Sequence, residues 1–338
     1  MGRGPVKKKN VRMTDIAEKL GTSTVTVSNA LAGRPGVGDH LRQKILATAR
    51  EMEYTPRVHT TPGGKTGAGV IAVLVSGRFS LENTFYSQLY RSFSMACSQK
   101  GFSTTLTVLS REEEREARLP KAAGEAEADG LLMLGQMDAR FLRAAAGGGK
   151  PCLLLDFYGE ELDLPCVLSD NQTGGYRLTR HLLQNGCCQI GFVGSILATT
   201  SIMDRYLGCC KALLSAGISP RPEWLLPDRD ENGNLIPLSL PEKLPQAFVC
   251  SCDEVAGTLI QALQQRGLRV PRDIRIAGYD DYRFARLCTP PLTSYGVDID
   301  GMAGRAASLL IRRIRGKPVA AGQTVVPGAL VIRDSTGE

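Results

Sequence analysis

The sequence predicts a small α-helical head with a helix-turn-helix, followed by a larger α/β domain of two lobes. Residues 11–56 hold three short helical patterns, and Gly21-Thr22-Ser23 forms a tight turn between the first two. From Val70 onwards, short apolar runs alternate with helical patterns, which is typical of parallel sheets. The net charge of +7 lies on residues 1–66, which hold 12 Lys and Arg against 5 Asp and Glu. The remaining residues hold 29 of each.

The head is expected to span residues 10–57. Thr14 and Ser23 stand where side chains can cap the first and second helices. In a helix-turn-helix the second helix enters the DNA major groove, and a basic surface neutralises phosphates. Motif and charge together therefore predict double-stranded DNA binding. The alternative is a solvated basic tail, because Lys7-Lys8-Lys9 is a run of charge.

Composition excludes several classes of protein. The N-terminus has no apolar run after its basic residues, and no stretch approaches the ~20 apolar residues of a membrane span. A cytoplasmic, nucleoid-associated protein is expected, in which the ten cysteines are free buried thiols. Cys250 and Cys252 could in principle ligate a metal, but none of the three His is near them. Neither a metal nor a cofactor is expected.

Residues 58–69, reading VHTTPGGKTGAG, are expected to form a linker or hinge. Pro62 and the glycines give this segment poor helix propensity. Its GKTGAG resembles a dinucleotide-binding fingerprint. A phosphate-binding loop follows a strand, whereas this one precedes a strand, so the match is rejected.

The first lobe alternates strands and helices in order. Strands are predicted at 70–75, 104–108, 130–134 and 151–155, and helices at 85–100, 112–128 and 138–146. The alternation starts again at Val167. Here strands are predicted at 190–193, 247–250, 274–277 and 293–297, helices at 171–184, 203–215, 253–266 and 298–315, and a final β segment at 324–332. Residues 220–245 are expected to be mainly connecting chain, with one short strand.

Polar side chains follow several predicted strands. Asp156, Asp280, Asp281 and Ser195 come just past strand ends, and Arg205 follows at the start of a helix. In open α/β sheets ligands bind beyond the carboxyl ends of the strands. A cleft for a sugar, a nucleobase or an amino-acid derivative is predicted. The alternative is that these carboxylates cap helices or form ion pairs.

Catalytic motifs are absent from the sequence. His40 lies in the head, His59 in the linker, and His181 in a predicted helix. There is no Gly-x-Ser-x-Gly elbow, phosphate-binding loop or metal-ligand spacing. We therefore expect that the protein is not an enzyme.

Several segments together resemble the lac repressor (LacI/GalR) family of bacterial transcription regulators. In order they read MTDIAEKLGTSTVTVSNALAG, EMEYTP, NTFYSQL, VLSDNQTGGYRLTRHLL, RYLG, GYDD, PPLTSY and RDSTG. They run almost from end to end of the chain, and their order and spacing are specific to that family.

The resemblance implies a repressor that binds a palindromic operator as a homodimer and responds to a small-molecule effector, a carbohydrate above all. It implies a periplasmic-binding-protein-like (type I) effector and dimerisation domain over residues 70–338. By analogy with such folds, lobe 1 spans 70–165 and 296–325, and lobe 2 spans 166–295 and 326–338. No heptads follow RDSTGE, so a coiled-coil tetramer is not expected.

The resemblance places Thr24, Val25 and Asn29 at base-reading positions of the second helix. Arg is more usual where Asn29 stands, and Asn pairs with adenine whereas Arg favours guanine. The remaining candidates for DNA contact are Thr14, Ser23, Thr26, Ser28 and, in the linker, Val58. The family wedges a hinge-helix Leu into the minor groove, but here Gly63 takes that place, so no hinge helix is expected.

For the effector, the resemblance carries over Arg205 and Asp280 in lobe 2 and Asp156 in lobe 1. Cys252 stands where Asn is usual, which changes the chemistry of the pocket. The remaining candidate effector contacts are Phe79, Asn83, Phe85 and Ser195. Two other functions stay open: a regulator controlled by a protein corepressor, and a two-lobed solute-binding protein with a basic leader.

Overall fold

The computed structural model describes residues 13–31, 38–52, 69–79, 85–120, 128–159 and 161–337. The chain divides into two compact units, residues 1–67 and 68–338. Each unit is described by itself.

The described residues of the first unit form three short helices: α1 (Met13–Lys19), α2 (Thr24–Leu31) and α3 (Asp39–Glu51). One small apolar core joins them, made of Ile16, Ala17, Val27, Ala30, Ile45 and Ala49. Gly21 has a φ of +61°, a left-handed conformation that glycine adopts without strain, and it lets the chain turn sharply into α2. The predicted helix-turn-helix is confirmed.

Ser23 caps α2. Its Oγ accepts a hydrogen bond from the Thr26 backbone N–H at 3.0 Å. The Ser23→Ala variant should lose about 1 kcal/mol of local stability, so amide exchange across α2 in the full chain should accelerate about fivefold. Hydrogen exchange with mass spectrometry measures this, with Thr22→Ala as the matched control. Equal exchange in both variants would show that the cap is not needed.

The second unit holds two six-stranded sheets, one in each lobe. Sheet 1 has the order β11-β5-β4-β3-β1-β2, built from β1 (Gly69–Ser76), β2 (Phe102–Leu109), β3 (Gly130–Leu134), β4 (Cys152–Leu155), β5 (Pro165–Ser169) and β11 (Gly322–Val326). Sheet 2 has the order β12-β10-β9-β8-β6-β7, built from β6 (Ile190–Val193), β7 (Leu225–Leu226), β8 (Ala247–Cys250), β9 (Arg275–Asp280), β10 (Thr293–Gly296) and β12 (Ala329–Val331). All pairings are parallel except that of β10 with β12. The carboxyl ends of the parallel strands therefore meet along one edge of each sheet.

Helices cover both faces of each sheet. In lobe 1 they are α4 (Phe85–Ser98), α5 (Arg111–Arg115), α6 (Ala139–Gly147) and α11 (Ile299–Ile314). In lobe 2 they are α7 (Asn171–Gln184), α8 (Thr200–Ser215), α9 (Asp253–Gln265) and α10 (Arg283–Leu287). Apolar cores on the two faces of each sheet explain why the strands are near-continuous apolar runs.

The chain crosses between the lobes three times. It leaves sheet 1 after β5, returns between β10 and α11, and leaves again between β11 and β12. The first crossing lies later than the boundary expected at residue 165, because β5 pairs with β4 and β11 in sheet 1. The expected single β segment at 324–332 is instead two strands in different sheets.

The predicted helix at 112–128 is wrong in its extent. The structure has α5 over Arg111–Arg115, capped by Ser110 and Glu113 in a capping box. Ala117 then has a φ of +53°, which a continuing helix cannot contain. The described residues 116–120 are therefore irregular, whereas residues 121–127 lie outside the described ranges.

Close packing of α7 on α8 places the start of α8 in lobe 2. A Cβ at Gly175 would collide with the Arg205 carbonyl oxygen, and one at Gly208 would collide with that of Gln172. Only glycine allows the two backbones to approach this closely. These two glycines therefore fix the depth at which Arg205 enters the lobe.

All ten cysteines are free thiols, as expected, and six of them are buried. Within the described ranges, no group of three or more His, Cys, Asp or Glu side chains could hold a metal ion. No helix in this part of the chain is long and apolar enough to cross a membrane.

Candidate functional site

A cavity of about 460 Å³ lies between the facing edges of the two lobes. Strand ends and helix starts supply its walls, as expected for open α/β sheets. Its lining includes Arg78, Phe79, Phe85, Tyr86 and Asp156 from lobe 1, and Ser201, Arg205, Arg229, Ser251, Cys252, Asp253, Glu254, Asp280, Arg283 and Phe284 from lobe 2. We call this cavity the cleft.

Arg205 is the central cation of the cleft and is 6% exposed. Its Nε donates to Asn171 Oδ1 at 2.8 Å, and its Nη1 donates to the Ser251 carbonyl oxygen at 2.5 Å. Nη1 also lies 3.5 Å from Asp280 Oδ1, and the guanidinium stacks 3.7 Å from the centroid of the Tyr279 ring. A guanidinium held by these contacts has a fixed orientation toward the cleft.

Asp156 is the carboxylate of lobe 1 and is 3% exposed. The Tyr86 hydroxyl donates to its Oδ2 at 3.0 Å, whereas its buried Oδ1 has no hydrogen-bond partner. Burial raises the pKa of Asp156 to about 6, although Arg205 and the Tyr86 hydrogen bond act to lower it. Its φ of +69° is strained for a residue other than glycine. A buried acceptor without a donor costs free energy that a ligand hydroxyl or amine could recover.

Asp280 faces Arg205 from the end of β9, with a φ of +106°. Burial raises the pKa of Asp280 to about 7; Arg205 lowers it, and the nearby Asp156 raises it. The pKa of Asp253 is also raised, by burial and by Asp280. Asp253 accepts from the Ser294 hydroxyl at 2.6 Å and from the Tyr282 N–H at 2.9 Å, so its role is to hold these loops.

Aromatic rings supply the apolar wall of the cleft on lobe 1. Phe79 and Tyr86 have centroids 4.7 Å apart, and Phe85 lies 5.6 Å from Tyr86. Such flat apolar faces beside polar groups suit a small ring-shaped polar ligand.

The two lobes also contact each other directly. The Ser201 hydroxyl donates to the Asp156 carbonyl oxygen at 2.7 Å, and the Thr200 N–H donates to Gln136 Oε1 at 3.1 Å. Arg111 of lobe 1 donates to the Asn232 carbonyl oxygen at 2.9 Å. Groups from both lobes therefore lie within reach of one ligand.

A second cavity, of about 540 Å³, lies between the lobes and is lined by parts of α5 and α6. Its buried carboxylate, Glu114, is paired with Arg78 at 2.7 Å and accepts from the Ser76 hydroxyl at 2.5 Å. Among the described residues, buried side-chain atoms without a hydrogen-bond partner occur on Asp156, Lys150 and Arg275. Of these three residues, Asp156 lines the cleft and none lines the second cavity. We therefore assign the effector to the cleft, although it is the smaller of the two cavities.

Six of the eight effector-contact candidates line the cleft: Phe79, Phe85, Asp156, Arg205, Cys252 and Asp280. Asn83 lies outside the described residues. Burial raises the pKa of Cys252 to about 12, so its thiol is neutral and acts as a small apolar group.

Ser195 is placed differently from the expectation. It does not line the cleft but a smaller neighbouring cavity. Its hydroxyl donates to the Arg229 carbonyl oxygen at 3.0 Å and accepts from the N–H groups of Asp228 and Arg229. Ser195 therefore holds the loop after β7, because its hydroxyl is fully used by that loop.

Sequence reasoning missed Arg229, Tyr86 and Ser201 in the cleft. Arg229 follows β7, so the rule that found the other strand-end residues applied to it as well. However, β7 has only two residues, and the short strand expected within residues 220–245 was not placed on particular residues. Tyr86 was visible only as the neighbour of Phe85.

In the head, Ser23 and Thr24 are exposed at the start of α2, and the Thr26 hydroxyl lies 2.8 Å from Ser23 Oγ. Val25, Ser28 and Asn29 lie on α2 and Thr14 lies on α1, and only their backbone is described. Apart from Thr14, these candidate contacts are grouped on α2 and the turn before it. Because α1 begins at Met13, Thr14 lies within the first turn of α1 and is not its N-cap as expected. Val58 and the linker expectation, including Gly63, lie outside the described residues.

Two family patterns match the chain. Residues 12–57 match the family of bacterial regulatory proteins of the lacI type, and residues 179–336 match the periplasmic binding protein-like domain. The first match covers the helix-turn-helix, and the second covers most of lobe 2 with the returning segments of the chain.

Curated relatives match almost the whole chain. The ribose operon repressor of Haemophilus influenzae is 27% identical over 96% of this chain and 98% of its own length. The transcriptional regulator DegA of Bacillus subtilis is 27% identical over 95% and 97%. The transcriptional repressor PurR of Actinobacillus pleuropneumoniae is 27% identical over 89% of this chain and 90% of its own length.

Solved structures share the fold. The lac repressor dimer bound to operator and an anti-inducer superposes with a TM-score of 0.72 at 24% identity, covering 98% of this chain and all of that one. The regulator CelR in complex with cellobiose gives a TM-score of 0.70 at 23% identity, covering 96% and 100%.

Proposed function

Because the chain belongs to the lacI family of bacterial regulatory proteins, we propose that it is a sequence-specific DNA-binding transcriptional repressor controlled by an effector. The effector is a small polar molecule, a carbohydrate above all, and it binds in the cleft. Such a protein works in the cytoplasm, on the DNA of the nucleoid.

The observation that carries this proposal is the unpaired Oδ1 of Asp156 in a cleft whose other wall bears Arg205 and Asp280. A ligand with several hydroxyl groups can donate to Asp156 from one side and contact the Arg205–Asp280 pair from the other. It would then stabilise the closed arrangement of the lobes. Relatives named for a ribose operon and a structure with cellobiose support a carbohydrate.

DNA binding is proposed to require a homodimer on a palindromic operator, since a two-fold dimer presents two α2 helices to two half-sites. The lac repressor dimer on its operator supports this arrangement. Thr24, Val25 and Asn29 would read bases, whereas Thr14, Ser23 and Ser28 would contact phosphates, and Ser23 also caps α2. Coupling is reciprocal, so operator DNA must change effector affinity by the same factor.

Selection from random-sequence DNA, followed by gel-shift titration of the full chain, tests this function. We expect a palindromic site whose affinity falls about 10³-fold or more as salt rises from about 50 to about 200 mM, because counterions are released from phosphates. No DNA binding even at low salt would overturn the regulator and favour the solute-binding alternative.

The Asn29→Ala variant tests whether Asn29 recognises a base of the operator. It should weaken the selected site by about 1–3 kcal/mol and leave non-specific binding unchanged, because a bidentate base contact carries discrimination rather than general affinity. Equal losses on specific and random DNA would contradict base reading by Asn29.

A further inference from the structure

We propose that the effector is acidic, and that the Nη groups of Arg229 bind its carboxylate or phosphoryl group; this inference rests on the proposed function. Arg229 belongs to the loop that follows β7 and lines the cleft. Neither the sequence pattern nor the relatives assign it a role.

The loop after β7 holds the Arg229 guanidinium through its Nε. Its Nε donates to Asp228 Oδ2 at 3.1 Å, and Asp228 is only 1% exposed. Asp228 in turn accepts from the Ser195 N–H at 2.7 Å and from the Ser251 hydroxyl at 2.9 Å. These contacts fix the guanidinium in the wall of the cleft.

The other edge of the guanidinium is free. Within the described part of the chain, neither Nη of Arg229 has a hydrogen-bond or ion-pair partner, although the side chain is only 17% exposed. A guanidinium taken largely out of water with unused N–H donors favours an oxygen pair, and above all an anionic one, because its forked donors match carboxylate and phosphoryl geometry.

The charges around the cleft favour an anion over a neutral hydroxyl group. Four arginines line it, namely Arg78, Arg205, Arg229 and Arg283, and arginine stays protonated in proteins. Four carboxyl groups line it too, but burial raises the pKa of Asp156, Asp253 and Asp280. With a pKa of about 7, Asp280 is only partly ionised near neutral pH, so it neutralises Arg205 incompletely and adds little repulsion against an anion at Arg229.

The unpaired Oδ1 of Asp156 requires a hydrogen-bond donor from the ligand, whereas Arg229 requires an acceptor. It accepts, so the group it meets must donate, which a carboxylate or a phosphoryl oxygen without a proton cannot do. The ligand class that satisfies both ends is a hydroxylated acid, such as a sugar acid or a sugar phosphate. Its hydroxyl groups would face Asp156, and its anion would face Arg229.

Calorimetric titration of the full chain tests this with matched sets of probes. Each set holds a neutral aldose, its aldonate and its terminal phosphate, for example glucose, gluconate and glucose 6-phosphate, with ribose and its two derivatives as a second set. Inorganic phosphate alone controls for simple anion binding. We expect an acidic member to bind at least about tenfold more tightly than its neutral parent. The preference between aldonate and phosphate identifies the anionic group.

The Arg229→Gln variant should lose that preference, binding the acid about tenfold or more weakly and the neutral parent as before. Arg229→Lys keeps the charge and should retain part of the preference, which guards against a folding defect in the first variant. Arg272→Gln, an exposed arginine of lobe 2, is the matched control and should bind like the wild type.

Three outcomes would overturn the acidic effector: no acidic probe binds, the neutral aldose binds as tightly as its acids, or Arg229→Gln keeps the preference. A neutral compound that binds and alters operator affinity would overturn this inference alone. Absence of operator binding by the full chain would instead overturn the proposed function.

Discussion

Replacing Arg205 with alanine is expected to abolish the effector response and to destabilise lobe 2. The guanidinium joins α8 to Asn171, to the end of β8 and to Asp280, so its loss separates three elements. Asp280 would also lose its nearest cation within a buried site. Removing one partner of a buried pair costs about 3–5 kcal/mol, because the other charge is left uncompensated.

Thermal and denaturant unfolding of the full chain, with effector titration at a permissive temperature, separates the two effects. Effector affinity should fall about 100-fold or more, whereas operator binding without effector should remain near the wild-type level. Arg180→Ala, which removes an exposed arginine from α7, should change stability by no more than about 0.5 kcal/mol.

The Arg205→Lys variant distinguishes charge from geometry. Lysine restores the cation near Asp280 but cannot donate simultaneously to Asn171 and Ser251 through a planar fork. We expect stability to recover partly and effector affinity to remain low. If Arg205→Ala lost operator binding together with the effector response, Arg205 would be required for folding of the whole protein rather than for the response.

A second large effect is expected from pH. Burial raises the pKa of Asp156 to about 6 and that of Asp280 to about 7, whereas both are near 4 in an unfolded chain. The folded protein therefore binds protons that the unfolded chain has released. Their contribution to stability is full below about pH 4 and is lost as pH rises through about 6 and 7.

The Asp156→Asn variant isolates one of these contributions. Asparagine carries no charge to desolvate, so at about pH 8 the variant should be more stable than the wild type by on the order of 1–3 kcal/mol. Near pH 4 the difference should vanish or reverse. Denaturant unfolding across this range measures it, and Asp163→Asn, at an exposed position, serves as the control. A difference that does not vary with pH would contradict the assignment.

The same linkage should appear in effector binding. A ligand that donates hydrogen bonds to Asp156 favours its ionised form, so effector affinity should rise between about pH 5 and about pH 8. The groups that face this carboxylate are Tyr86 on lobe 1 and Arg205 on lobe 2, with Asp280 near the latter. Calorimetry in buffers of different ionisation enthalpy would detect the released protons.

The sequence by itself determined the helix-turn-helix and the alternation of strands and helices, because periodic apolar residues and turn glycines act locally. It also predicted that Asp156, Arg205 and Asp280 lie beside one cleft, since the carboxyl ends of parallel strands meet at one edge of a sheet, whereas Cys252 entered only through the family resemblance. These features follow from residues close together in the sequence and do not depend on contacts between distant segments.

Only the tertiary structure decided which strands share a sheet. β5 belongs to sheet 1 because it pairs with β4 and β11, and lobe 2 begins with the helix after it. The apolar pattern of β5 in the sequence does not show to which of the two sheets this strand belongs. The tertiary structure also decided the roles of Ser195 and Arg229. The Ser195 hydroxyl donates to the carbonyl oxygen of Arg229, 34 residues away in the sequence. The loop that holds Arg229 leaves one edge of its guanidinium facing the cleft. Hydrogen bonds between residues so distant along the chain depend on the folded geometry, and no spacing in the sequence encodes them.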